Sequence, residues 1–389
     1  MNSIYEAVPL DRDISSTNIR VIEDLVRDVE GRISCKLRTI SLEWKDDERR
    51  SQRPESYVAL SYTWGPPDAG KSISIDGKPF EVRENLWNFL NEACTRGTFT
   101  RNTTFTGEDW RNVFPGTYIP EEEQVYLWID AICIDQSQVE ERNHQVAMMG
   151  KIYSWARKVL VWLGQSTWFI ADLLRAMHDL DVDENHRLVW KTESNRCSWA
   201  TMCWGLESLC SIEYWSRLWV VQEYLLAKDV KIWCGADSVD PEKIKWLVYL
   251  EYNTPHLAES YAIQLLQGRE VRNVHAEQLS LKRHLDDFGI RMKCADVRDR
   301  VYGLLALINE KEREKLGIRP DYSLSPSGLF FKLIHALRAS ESYMPDELLD
   351  YVETLRLALG LTSIAEEHMR LFLGHHLYNE WVARRFQFV

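Results

Sequence analysis

A single carboxylate, Glu223, falls within Trp215 to Ala227, WSRLWVVQEYLLA, among aromatic and aliphatic residues. On a helix, side chains four apart stack on one face. Trp215, Trp219 and Glu223 would then form a row with Leu218, Gln222 and Leu226 alongside. Burying an ionised carboxylate without a partner is costly, so such a Glu is either tied into a structural ion pair or held in a pocket for chemistry. The pattern leaves both readings open. Two further acids, Asp130 and Asp135, flank a strand-to-helix turn, where Asp135 near the helix N-terminus has the simpler role of satisfying backbone N–H groups.

Other chemistries lose their sequence support. There is no G-x-x-x-x-G-K-[ST] phosphate loop and no G-x-G-x-x-G fingerprint. The histidines form no H-E-x-x-H pair, and the adjacent His375 and His376 point in different directions on any regular element, so no metal site is expected. Cys133 sits beside Asp130 and Asp135, whose charges raise a thiol pKa and disfavour a cysteine nucleophile.

The elements that must position these residues are read from hydrophobic pattern. Residues 1–56 form an N-terminal β extension with short alternating runs at Ile19–Ile22 and Ile33–Leu37. Tyr57 to Gly65, YVALSYTWG, is a buried strand that runs into small and polar residues, the kind of strand end where α/β proteins place ligand loops. Ser61, Tyr62, Trp64 and Gly65 are therefore candidate contacts, although Gly65-Pro66 is also an ordinary strand breaker. Ile73 to Val82 predicts a hairpin turning at Asp76-Gly77, and Asn85 to Cys94 a helix. Residues 97–124 read as an exposed insertion. Val125–Ile132 is a second buried strand, Ser137-Gln138-Val139-Glu140 fits a capping box that opens a helix, and Val159–Gly164 is a third strand. Strand, loop, helix and strand in that order make a βαβ crossover with parallel pairing. A helix over 170–180 and a strand over 230–235 extend the alternation. From Pro241 the pattern turns helical, including 279–288, 296–308 and a helix capped by Ser325-Pro326. The expectation is an α/β fold, a parallel sheet flanked by helices, with a docked C-terminal helical region. Its segments are 1–56, 57–240 and 241–389.

The 389-residue chain has a net charge of −12 and a pI near 5.4. That balance argues against nucleic acid or anionic lipid as a partner. Sixteen Trp are read as fillers of wide spaces between layers. Eight scattered cysteines without a C-x-x-C pair fit reduced thiols in a cytosolic or nuclear protein. The N-terminus carries no signal-peptide pattern, and no apolar run approaches the ~20 residues of a membrane span.

Three blocks, YVALSYTWG (Tyr57 to Gly65), LWIDAICIDQ (Leu127 to Gln136) and YWSRLWVVQE (Tyr214 to Glu223), resemble the fungal heterokaryon-incompatibility (HET) domain family in order and spacing. DVRDRVYGLLAL (Asp296 to Leu307) and PDYS (Pro320 to Ser323) resemble the segment C-terminal to the domain in many members. The resemblance implies a cytoplasmic effector of programmed cell death in fungal nonself recognition, acting with an incompatibility partner protein. The chain also resembles, more distantly, the TIR domain, a flavodoxin-like module that hydrolyses NAD and carries its catalytic Glu in a W-x-x-x-E pattern. Trp219 and Glu223 have that spacing. This second resemblance implies Glu223 as the catalytic carboxylate of an NAD glycohydrolase. Ser61, Tyr62, Trp64, Gly65, Asp130 and Trp219 would be the nucleotide contacts, NAD a substrate, and no cofactor permanently bound. The alternative is a non-enzymatic module that signals through a partner or through self-assembly into a homo-oligomer, with Glu223 structural.

Overall fold

The structure is a computed structural model. It describes the chain apart from residues 1–3, 12, 14–15, 44, 48–49, 53–55, 69, 97–124, 183–187, 191–196, 251–256, 258–259, 276–279, 340–342, 362–368, 371–372 and 387–389. The 97–124 insertion expected from sequence lies outside the described residues. Two compact units make up the chain: residues 1–216 with 226–269, and residues 217–225 with 270–389. The segment with Trp219 and Glu223 is thus grouped with the C-terminal helices.

In the first unit the strands run in chain order: β1 (Asn18–Arg27), β2 (Ile33–Ser41), β3 (Lys45–Asp47), β4 (Arg50–Gln52), β5 (Tyr57–Tyr62), β6 (Gly70–Ile75), β7 (Lys78–Arg83), β8 (Tyr126–Trp128), β9 (Lys158–Trp162), β10 (Leu180–Val182), β11 (Leu188–Trp190), β12 (Val230–Cys234) and β13 (Asp237–Val239). Nine of them form one sheet in the order β13-β12-β9-β5-β8-β1-β2-β6-β7. β12, β9, β5 and β8 pair in parallel. Every residue of these four strands is buried, which is why their sequences are largely continuous apolar runs: helices cover both faces of a parallel sheet.

The sheet as a whole is mixed. β1 pairs antiparallel with β8 and with β2, so the N-terminal strands belong to the same sheet as the central four. β6 and β7 form the expected hairpin, with Asp76 (φ 50) and Gly77 (φ 76) at its turn. Two successive left-handed residues match the twist of the strands, and Asp-Gly tolerates them well.

Other expectations are corrected. The capping box at Ser137 does not form; the helix runs from Val139 to Trp155 with Gln138 before it and no side-chain cap. Asp135 takes Ser137 instead, its Oδ1 accepting from both Ser137 N (3.0 Å) and Ser137 Oγ (2.6 Å), a local turn that competes with the cap. The helix expected over 296–308 shrinks to Asp299–Tyr302. Bonds from Leu304 N to Val301 O and from Leu307 N to Leu304 O carry the chain onward in tight three-residue turns. The helix expected over 279–288 divides into Leu281–His284 and a wider π turn, Leu285–Gly289. Ser325 does cap its helix, accepting from Gly328 N at 3.0 Å ahead of Pro326–Ala339.

Candidate functional site

The order of the four parallel strands creates a topological switch point. The chain steps from β5 to β8 on one side, crosses to β9 on the other side of β5, and continues outward to β12. Ligands of open α/β sheets bind outside the carboxyl ends of the strands where this order reverses, here β5 and β9.

Both strand ends turn on glycines in the left-handed region, Gly65 (φ 76) and Gly164 (φ 96), a conformation that side chains with Cβ resist. Asn85, from the helix Glu84–Thr95, joins the two ends. Its Nδ2 donates to Thr63 O at 2.6 Å, and its Oδ1 accepts from Trp162 Nε1 at 3.0 Å. Arg83 donates to Gly65 O at 2.7 Å, and its guanidinium carbon lies 5.1 Å from the centre of the Trp64 ring, within cation–π range. Trp64 in turn donates its indole N–H to Asp130 Oδ2 at 2.8 Å, while Asp130 Oδ1 accepts from Ala131 N at 2.7 Å. The result is a half-buried group at the strand ends: an aromatic face, a carboxylate and a guanidinium beside glycine backbone. Arginine and glycine amides recognise phosphate, and a carboxylate accepts sugar hydroxyls.

Ser61 and Tyr62 lie deeper. Ser61 is fully buried with its Oγ 2.7 Å from Tyr214 Oη, and Tyr62 is 3% exposed. Sequence reasoning missed Asn85 and Arg83. The signal available was weak, namely polar residues directly where the β6–β7 hairpin enters a helix.

The strand expected over 125–132 ends at Trp128, and the helical turn that follows, Asp130–Cys133, is held by Arg20 of β1. Its guanidinium donates to Cys133 O (3.2 Å), to Val8 O (2.7 Å) and to both Glu141 oxygens (2.6 and 3.1 Å). Glu141 also accepts from Asp135 N at 2.7 Å. Cys133 is buried here, and burial pushes its thiol up to about 12, with Asp130 adding in the same direction. A thiol in that state is inert at neutral pH.

In the second unit, Glu223 lies on the helix Trp219–Leu225, in which Val220 through Leu225 are all buried. Glu223 itself is 3% exposed. The continuous helix expected from Trp215 is interrupted: Trp215 ends in a 3-10 turn, Glu213–Ser216, and Arg217 pairs with Lys293 in a β-bridge. Trp219 and Glu223 still share one face at four-residue spacing, without Trp215 in the row.

Trp219 donates its indole N–H to Asp299 Oδ2 at 3.1 Å, and Tyr322 donates to Asp299 Oδ1 at 2.5 Å. Asp299 is buried, and burial raises its pKa from 3.8 to about 6. The Tyr322 and Trp219 hydrogen bonds and Arg298 pull against that rise, and Asp296 adds to it. A raised acid binds its proton more tightly in the folded state. Its stabilising contribution is therefore complete below the unfolded value and is lost as pH rises through about 6. The loss amounts to about 3 kcal/mol. Asp299→Asn should abolish it: urea unfolding from pH 4 to pH 7 should show the stability difference growing in favour of the variant over native protein. A pH-independent difference would contradict this assignment. Sequence reasoning did not single out Asp299, whose two donors lie far from it along the chain.

The class defined by these features is an α/β protein with a parallel core inside a mixed sheet. Residues 117–223 match the family described as heterokaryon incompatibility protein (HET). That span contains two of the three sequence blocks and ends at Glu223. The chain is 27% identical over 337 residues to heterokaryon incompatibility protein 6, OR allele, of Neurospora crassa, covering 70% of this chain and 45% of that protein. It is 25% identical over 166 residues to vegetative incompatibility protein HET-E-1 of Podospora anserina, covering 41% of this chain and 10% of that protein. The chain thus spans less than half the length of either relative. Together the matches show a likeness to the HET domain and to two fungal incompatibility proteins. No solved structure matches the chain. Among the described residues no helix is long and apolar enough to cross a membrane, and no cluster of metal-binding side chains occurs.

Proposed function

We propose that this chain acts in fungal incompatibility as a cell-death effector that hydrolyses NAD, in the manner of the TIR-like proteins its motifs resemble. The observation that carries this reading is the linked group of Trp64, Arg83 and Asp130 at the switch-point ends of β5 and β8. An aromatic face offers stacking to a base, and the arginine a counter-charge to pyrophosphate.

A separate line of support, the W-x-x-x-E spacing of Trp219 and Glu223 in the second unit, makes Glu223 the proposed catalytic carboxylate. Breaking the bond between nicotinamide and ribose leaves positive charge on the sugar, which a nearby carboxylate stabilises while water adds to the anomeric carbon. The products are nicotinamide, ADP-ribose and a proton. The test is nicotinamide release by purified protein, compared with Glu223→Gln. Further proposals, from the resemblance to the HET family, are a cytoplasmic location and a second incompatibility protein as partner.

A second reading, an interaction module that kills by assembly, draws on a different feature. The helices Trp168–Asp179 and Trp199–Cys210 leave Trp168 (63% exposed), Trp199 (47%) and Trp204 (54%) open to solvent, with Phe169 edge-on to Trp204 at 5.7 Å. Exposed aromatic clusters mark association surfaces. On this reading, replacing Trp168 and Trp204 by Ser shifts the protein from oligomer to monomer in light scattering and abolishes killing. Killing at the native level by a variant that stays folded argues for the catalytic reading.

A further inference from the structure

The helix bearing Trp219 and Glu223 is short and lies beside a carboxylate on a different segment. Asp299 receives two hydrogen bonds, one from the Trp219 indole and one from the Tyr322 hydroxyl. The approach is close because residue 303 is glycine: a Cβ there would meet Asp299 O at 2.9 Å and the Trp219 ring at 3.5 Å. Tyr322 is itself held from both sides. Its ring packs edge-on against Tyr302, and the Arg298 guanidinium lies 5.3 Å from its centre while donating to Tyr322 O at 2.8 Å. The chain before this helix is also tied to the segment leading to Asp299, with Leu218 N donating to Lys293 O at 2.9 Å.

We propose that Asp299 is a positioning residue: with Tyr322 it clamps the Trp219 indole, fixes the helix that carries Glu223, and loosens that hold when its carboxyl is protonated. This rests on the reading of Glu223 as the catalytic carboxylate. The physical reason is the strength of a charge-assisted hydrogen bond. An ionised carboxylate accepts from both donors at about twice the strength of a neutral acid. Among the described residues, the charged and titratable groups facing Asp299 include Asp296 and Arg298 on the preceding loop, Cys294 earlier on that segment, and Tyr322. Burial holds the Asp299 carboxyl at about 6, so mild acidification is enough to throw the switch.

The experiment uses the full chain. The indole N–H resonance of Trp219, assigned by its loss in Trp219→Phe, is followed by NMR as pH is lowered. It should move upfield with a midpoint near pH 6, stay pH-independent in Asp299→Asn, and show a raised midpoint in Tyr322→Phe. Nicotinamide release from NAD, measured in parallel, should fall several-fold below that midpoint. In Asp299→Asn it should be several-fold lower and flat, with KM for NAD unchanged, and Asp299→Glu should restore the pH dependence. A Trp219 resonance that does not titrate in native protein overturns the clamp, as does an acid limb that persists in Asp299→Asn. If native protein releases no nicotinamide while the resonance titrates with that midpoint, the hydrolase reading fails and the clamp stands.

Discussion

Arg20→Ala is expected to lower stability by about 3–5 kcal/mol, because it leaves Glu141 as a largely buried acid without its cation. Arg20 is 1% exposed, and the Glu141 side chain is 17% exposed. The pair is bidentate, and the same guanidinium also serves two backbone carbonyls, Val8 O and Cys133 O. Removing it strands two acceptors and one charge at once, each of which costs free energy when desolvated. Total domain stability is about 5–15 kcal/mol, so the loss is a large share. Arg20→Lys keeps the charge but not the fork, and should fall between native protein and Arg20→Ala. Urea unfolding measures the change, and hydrogen exchange locates it: amides of β1 and of the helix Val139–Trp155 should lose protection first. Exchange in the Asp130–Cys133 turn should rise as well, because Cys133 O and Asp135 N both depend on the Arg20–Glu141 pair. An Arg20→Ala protein with native stability would mean that the network contributes nothing.

The central strands were legible because each is covered on both faces. Tyr57–Tyr62, Val159–Trp162 and Val230–Cys234 have no solvent side, so their apolar character dominates and their type is plain. Their spatial order was not legible, since a continuous apolar run says nothing about its neighbour. The same holds for β1, whose alternating pattern suits an edge or an interior strand; its place beside β8 is set by pairing. The candidate site was partly legible. Trp64 and Asp130 were both named from strand ends, and they meet through a hydrogen bond. Asn85 was read as a helix residue because its role depends on what two glycine turns bring near it. The break between Trp215 and Trp219 was hidden because aromatic residues four apart continue the helical period across it. The β-bridge from Arg217 to Lys293 ends that period through a partner far along the chain. Asp299 was hidden for a similar reason: its donors, Trp219 and Tyr322, are distant in sequence.

Glu223→Gln is expected to reduce NAD hydrolysis by about 10³-fold, or about 4 kcal/mol of transition-state stabilisation. The substitution is nearly isosteric. It keeps a carbonyl oxygen and removes the charge, so the buried helix Val220–Leu225 should keep its packing. A carboxylate that opposes developing positive charge in a dry site acts at low effective dielectric, where its loss is felt in kcat. If Glu223 is instead one half of a structural ion pair, Glu223→Gln leaves the other half buried and unpaired. Stability then falls by about 3–5 kcal/mol. The two roles therefore separate on a single variant when rate and stability are measured together. The decisive measurement is nicotinamide release from NAD by purified native and Glu223→Gln proteins, with urea unfolding of both. Release by native protein that drops about 10³-fold in the variant at unchanged stability is the predicted result; equal release by the two proteins, or none by either, contradicts it.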